Sequence, residues 1–401
     1  MVGPGYPVRV KIVSVVGTRP QLIKAAALQS ALRARHDEVL VDTGQHWDES
    51  MAGVFFAELG LARPDHSLDA GGGSHSEQTA AMLTRLEPIL VGERPDAVLV
   101  YGDTNSTLAG ALAAAKLGIP VAHVEAGLRS FDRRMPEELN RVVADHLSTW
   151  SFAPTPSAVE NLRAEGITRG VILVGDLMQD LASRVSAEVR DAAVLEEFAE
   201  RQRRLIDTGS ARSGAAAGRP LEPGAYLFAT VHRQENREPA AIAAWAAILA
   251  DAASPERPVI LALHPGTRVA MDRAGISCGP NVLIVDPQRY RTSLAFQLHA
   301  AAVLTDSGGV QREAAWLGVP CLVLRGTTEW TEAVSESAGR MVLVGLDRAL
   351  AAVELARLAS RDDARLVARE RAAALDLRPA GAADSIVMAL EAPPRIAERG
   401  R

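Results

Sequence analysis

Short runs of β-branched and other apolar residues alternate along this chain with longer alanine- and leucine-rich stretches whose polar positions recur at helical spacing. A strand buried on both faces reads as a continuous apolar run, so this alternation predicts strand–helix–strand units around parallel sheets. The runs VKIVSVVG (10–17), DEVLVDTG (37–44), DAVLVYGD (96–103), PVAHVEAG (120–127) and WSFAPT (150–155) predict a first series of strands, with helices such as 20–34 and 105–117 between them. A second series follows in AYLFATVH (225–232), PVILALHP (258–265), NVLIVDP (281–287), AAVLTDSGG (301–309) and PCLVLRG (320–326). The 186–224 segment separates the two, first charged and helical, then TGSARSGAAAGRPLEPG, which has no periodicity. That last stretch is expected to be a flexible surface insertion, 207–224.

The fold class expected is α/β, with two Rossmann-like doubly wound domains facing each other across a cleft. A chain of 401 residues also exceeds what one core usually organises. The boundaries expected are 1–181 and 182–370, with 371–391 as a C-terminal helix although DLRPAG interrupts it.

Composition narrows the partners. With 48% hydrophobic and 23% charged residues and a net charge of −6, the chain lacks the global positive field of a nucleic-acid or anionic-membrane binder. An anionic ligand therefore needs a local cluster of cations. Cys278 and Cys321 have no metal or redox spacing and are expected to be reduced and buried. The N-terminus lacks a secretory pattern and no window has the length of a membrane span, so the expected location is cytoplasmic.

In open α/β sheets ligands bind at the carboxyl ends of strands. Here those ends read GTRPQLIK, TGQHWD, YGDTNST, HVEAGLRS, TVHRQEN, LHPG and TDSGG. In LTDSGGVQREA (304–314), Ser307, Gly308 and Gly309 open a helix where backbone N–H groups can approach an anion. The same residues equally suit a plain turn with Ser307 as N-cap. Glu313, an acceptor-only carboxylate one turn on, suits a ribose diol. Arg19 can clamp a phosphate or serve as a surface charge, and Lys24 alone favours the second role. His232 and His264 end two strands of the second series, each as readily structural as functional. No HxH or HExxH pairing points to a metal.

Asp103 and Glu125 end consecutive predicted strands and are expected to be neighbours. Carboxylates placed side by side push their proton affinities apart, which supplies an acid and a base together. Asp103 can instead cap the helix from Asn105, and Arg129 is the expected partner of Glu125. In SFDRRMPEELNR (130–141), Glu137 and Glu138 fit both an ordinary acidic helix start and an active-site position.

Taken in order over residues 10–350, GTRPQLIK, TGQHWD, EQTA, YGDTNST, HVEAGLRS, MPEELNR, TVHRQEN, LTDSGGVQREA and TTEWTEAV resemble the non-hydrolysing UDP-N-acetylglucosamine 2-epimerases. The resemblance implies the two-domain fold of GT-B glycosyltransferases, with a C-terminal helix returning to the first domain. It implies interconversion of UDP-GlcNAc and UDP-ManNAc through loss of the C2 proton and expulsion of UDP to a 2-acetamidoglucal. Carried residue by residue, it makes Asp103, Glu125 and Glu137 the acid/base carboxylates. Arg19, His232, Ser307, Gly308 and Gly309 become the diphosphate site and Glu313 the ribose partner, with His232 also counted as catalytic. Lys24, Arg141, His264 and Tyr290 complete the substrate-binding set, Arg141 as an organiser of the carboxylates. The implied chemistry needs no redox cofactor and no metal, and the implied assembly is a homodimer.

The chain departs from the family pattern in three places. Arg312 replaces the first member of an acidic pair that ends in Glu313, and Gly326 and Trp330 replace an acidic and an arginine position. Weaker diphosphate binding is expected unless Arg325 or Arg233 compensates. Gln45 is kept but Asp48 stands where a second glutamine is expected, which predicts weak or absent activation by a second UDP-GlcNAc. The rival readings are an epimerase for a modified UDP-diacetamido sugar, a hydrolysing epimerase, a GT-B glycosyltransferase and a nucleotide-sugar binder without catalysis.

Overall fold

The computed structural model describes residues 9–45, 60–191, 193–207, 221–358 and 364–391. The chain divides into two compact units, Met1–Leu181 with Arg378–Arg401, and Ala182–Leu377.

In the first unit seven strands, β1 (Lys11–Val16), β2 (Asp37–Asp42), β3 (His66–Ser67), β4 (Ala97–Tyr101), β5 (Val121–Val124), β6 (Trp150–Ala153) and β7 (Val171–Leu173), pair in the order β3-β2-β1-β4-β5-β6-β7. All neighbours are parallel. After β3 the chain returns to the far side of β1 to form β4, so the connections leaving β1 and β4 diverge and open a crevice at their carboxyl ends. The core joins Val13, Val15, Val98 and Val100 of the sheet to Met82, Leu86 and Leu90 of the helix His75–Glu93. The helix Asn105–Lys116 lies so close to the sheet that a Cβ on Gly110 would sit 2.8 Å from Val100 Cγ1.

The second unit repeats the plan with six strands. These are β8 (Leu227–Val231), β9 (Val259–Leu263), β10 (Val282–Val285), β11 (Ala302–Thr305), β12 (Cys321–Val323) and β13 (Met341–Leu343), in the order β10-β9-β8-β11-β12-β13. All are parallel, and the reversal falls between β8 and β11. Trp245 fills the core under β8 and β9, and its indole N–H donates to the Asn236 carbonyl at 3.0 Å, so its one polar atom is satisfied.

The 371–391 segment is two helices rather than one. Ala364–Ala374 belongs to the second unit, where Arg371 donates to the carbonyls of Leu298 and Ala300, each at 2.6 Å. Ala382–Leu390 packs on the helix Arg19–Arg35 of the first unit. Its N-terminal amides at Gly381 and Ala383 are held by the Asp180 carboxylate, each at 2.9 Å. Both cysteines are free and buried. Among the described residues no helix is long and apolar enough to cross a membrane. Asp48 and residues 208–220 of the expected insertion lie outside the described residues.

Candidate active site

In the first unit the candidate residues collect at the carboxyl end of the sheet, around the β1/β4 reversal. Gln21, one turn into the helix after β1, donates to the Tyr101 carbonyl at 2.7 Å and to the Thr107 hydroxyl at 3.0 Å, tying that helix to the end of β4. Three residues on, and so on the same helix face, Lys24 reaches Glu125 beyond β5 and forms an ion pair with it. Both side chains are almost out of solvent, at 8% and 11% exposure. Gly102 has φ of +64°, and a Cβ there would meet Lys24 Nζ at 3.2 Å and Glu125 Oε2 at 3.3 Å. The lysine–glutamate pair therefore lies against the backbone next to Asp103. Arg19, the first residue of the same helix, is half-buried.

Asp103 is ion-paired with Arg141, which stands on the second turn of the helix Pro136–Leu147. The N-cap of the helix after β4 is Thr104, so Asp103 is left for this pairing. Arg141 also donates to Glu138 at 3.1 Å. Glu138 is buried and accepts from Ser130 N at 2.8 Å, Ser130 Oγ at 3.0 Å and Phe131 N at 3.0 Å. It thus fastens the 130–131 loop to the helix and aims Arg141 at Asp103. Glu137, its neighbour, is half-buried, and its side chain makes no hydrogen bond among the described residues. Arg129 is not the partner of Glu125: it pairs with Asp145 at 2.7 Å and with Glu165 at 2.7 Å, because its buried side chain runs toward the helix behind the turn.

In the second unit the candidates sit around the β8/β11 reversal. Asp306, fully buried just past β11, accepts from His232 N, His232 Nδ1, Arg233 N and Asn236 Nδ2 at 2.9–3.1 Å. Burial alone would raise its carboxyl, but His232, Asn236 and the Arg233 amide outweigh that and hold it at about 2. A carboxylate only accepts, so His232 Nδ1 carries a proton and Nε2 is the nitrogen left to face outward on a ring 45% exposed. Ser307 caps the helix Gly308–Trp316, accepting from Val310 N at 3.4 Å. The amides of Gly308 and Gly309 precede it and make no hydrogen bond to any described residue, which leaves an anion-ready helix start. Gly308 has no room for a side chain: a Cβ would stand 2.9 Å from Glu329 Oε1 and 3.0 Å from Trp330 Nε1.

Glu313 is buried on that helix and accepts from Gln297 Nε2. Tyr290 is buried at the start of the helix Tyr290–His299. His264 is exposed at the end of β9, the strand beside β8, and its Nδ1 accepts from Gly266 N at 3.1 Å to cap its own helix. The two arginines named as compensators, Arg325 and Arg233, both pair with the buried Glu329, at 2.9 Å and 3.0 Å. Trp330 carries the Arg312 guanidinium 3.7 Å above its ring, so two of the departures from the family pattern meet as one stacked pair.

Asp306, Asp145, His123, Gln21 and Glu329 are the residues that sequence reasoning missed as parts of the site. Asp306 stands inside the TDSGG strand end, which is a usable signal. Its partner His232 is 74 residues away, so only the sheet order brings the two together.

A family model described as UDP-N-acetylglucosamine 2-epimerase matches residues 30–390. The chain belongs to that family. Among its relatives is the Pseudomonas aeruginosa UDP-2,3-diacetamido-2,3-dideoxy-D-glucuronate 2-epimerase, 41% identical over 344 residues that cover 84% of this chain and 89% of the relative. The Escherichia coli K12 UDP-N-acetylglucosamine 2-epimerase is 36% identical over 361 residues, 87% of this chain and 90% of the relative. The structure of the Methanocaldococcus jannaschii UDP-GlcNAc 2-epimerase in complex with UDP-GlcNAc and UDP shares 34% identity, with a TM-score of 0.79 over 96% of this chain and 99% of that one. As a family member the protein is an isomerase of the UDP-sugar 2-epimerase class.

Proposed function

We propose that the protein interconverts UDP-GlcNAc and UDP-ManNAc by loss of the C2 proton from one face and its return to the other, with UDP leaving and re-adding at C1. The observation that carries this reading is the pair of carboxylates on adjacent strand ends, each with its own cation: Asp103 on Arg141 and Glu125 on Lys24. C2 beside an acetamido group is a weak acid, so its deprotonation needs a base in place and a leaving group that takes the C1–O electrons while the C2–H electrons form the C1–C2 double bond. One carboxylate takes the C2 proton and the C1–O bond to UDP breaks, giving 2-acetamidoglucal and UDP. A second acid then returns a proton to the opposite face of C2 while a UDP oxygen re-forms the bond to C1. Glu137, half-buried at the helix start and unengaged by any described residue, is a third proton carrier in this scheme. Departing diphosphate charge is stabilised by Arg19, His232 Nε2 and the Gly308 and Gly309 amides, and Glu313 binds the ribose. Lys24 and Arg141 orient the carboxylates, while His264 and Tyr290 line the nucleotide side. Action as a cytoplasmic homodimer belongs to the same proposal.

The name of the Pseudomonas relative supplies one alternative substrate to test, a UDP-sugar carrying a second acetamido group and a C6 carboxylate. Incubation in heavy water separates the readings. UDP-GlcNAc is expected to return as C2-deuterated UDP-GlcNAc and UDP-ManNAc. Exchange with the diacetamido-uronate alone would move the assignment to that sugar, free ManNAc would indicate hydrolysis, and no exchange with either would sink the epimerase mechanism.

A further inference from the structure

Glu125 adopts a left-handed backbone conformation, with φ of +72°. For a residue with a Cβ that conformation costs roughly 1–2 kcal/mol, so surrounding structure must impose it. One carboxylate on the neighbouring helix is placed to do so. Asp145, buried near the end of the helix Pro136–Leu147, accepts from His123 Nδ1 at 2.7 Å, from Gly127 N at 3.1 Å and from Arg129 at 2.7 Å. These three anchors bracket Glu125, two residues before it and two and four after it. The other ring nitrogen of His123 lies 2.7 Å from the Gly102 carbonyl. A carbonyl and a carboxylate only accept, so both nitrogens donate, and the same ring fastens the Glu125 turn to the residue before Asp103. Arg129 carries the network on to Glu165 at 2.7 Å, so each buried charge has an opposite neighbour.

We propose that Asp145 is a positioning residue for the acid/base pair: through His123, Gly127 and Arg129 it locks the strained turn that sets the Glu125 carboxylate on Lys24 and beside Asp103. It touches no substrate. The inference rests on the acid/base role given to Glu125 under the proposed function. It predicts a defect in the proton-transfer step alone, because a misplacement of about 1 Å costs on the order of a hundredfold in rate while leaving distant binding groups in place.

The test compares the full-length protein with Asp145→Asn, isosteric but uncharged, and His123→Asn, which removes the ring that joins Asp145 to the Gly102 carbonyl and leaves the Gly127 and Arg129 anchors in place. Saturation curves for C2 deuterium exchange in UDP-GlcNAc give kcat and KM, calorimetry with UDP gives affinity, and circular dichroism checks the fold. For Asp145→Asn, kcat is expected to fall about a hundredfold with KM within about threefold and UDP affinity unchanged. His123→Asn is expected to show the same split with a smaller fall. A folded variant with wild-type kcat, or one in which UDP affinity falls in parallel, overturns the proposal. If Asp145→Asn fails to fold, His123→Asn decides. If neither folds, the network holds the unit rather than the carboxylate and the proposal is wrong. Wild-type protein that shows no exchange fails the proposed function itself, whereas exchanging wild type with fully active variants fails only the positioning role.

Discussion

Replacing Asp306 by asparagine removes one negative charge from a fully buried site where backbone amides of His232 and Arg233 and the side chains of His232 and Asn236 all donate. The folded carboxyl is depressed from 3.8 to about 2, so this group adds stability above its unfolded value and loses it as pH falls through the folded one. At about 1.4 kcal/mol per unit, the contribution at neutral pH is on the order of 2–3 kcal/mol, with about 1 kcal/mol of it gone by pH 3 and nearly all by pH 1. Asparagine also turns one acceptor into a donor facing donors, which adds about 1–3 kcal/mol of unmet hydrogen bonding. The variant is therefore expected to lose about 3–6 kcal/mol at pH 7 and to have a shallower acid limb than the wild type. Urea unfolding of both proteins at pH 7, 5, 4 and 3 measures this. The difference between their stabilities should shrink by about 1 kcal/mol between pH 7 and pH 3. Parallel curves with a constant offset would refute the claim that a depressed Asp306 carboxylate anchors this turn.

Gly308→Ala places a Cβ 2.9 Å from Glu329 Oε1 and 3.0 Å from Trp330 Nε1, and shifting either moves the turn that presents the Gly308 and Gly309 amides. Loss of about one charge-assisted hydrogen bond predicts a roughly tenfold weaker UDP affinity by calorimetry with little change for uridine, and unchanged UDP binding would contradict the cradle. Burial pushes the Cys278 thiol up to about 11 and Cys321 up to about 12, so neither is a thiolate at neutral pH. A chromogenic disulfide reagent is expected to report two thiols only after denaturant is added; rapid reaction of either in the native protein would show that its surroundings open.

The two-unit α/β plan was legible because fully buried parallel strands are uninterrupted apolar runs, and ten of them stood out at β1, β2, β4, β5, β6 and β8 to β12. The edge strands β3, β7 and β13 were not read: they have two or three residues each and are largely half-exposed or exposed, so they carry little apolar signal. The same logic limited the C-terminus, where helical composition on both sides of DLRPAG could not say that Ala364–Ala374 and Ala382–Leu390 pack in different units.

Sequence alone determined which residues stand at strand ends, because local patterning sets where a strand stops and a helix begins. It thereby placed Asp103, Glu125, His232 and Ser307 at the carboxyl ends of strands, and the strand order then gathered those ends around the two sheet reversals. Pairing was decided only in three dimensions. Lys24 rather than Arg129 meets Glu125, and Asp145 closes on a turn that spans His123 to Arg129, because helices from distant parts of the chain pack over the same strand ends. Ion pairs and hydrogen bonds depend on distances of a few ångströms between groups up to a hundred residues apart, and no local pattern encodes those distances.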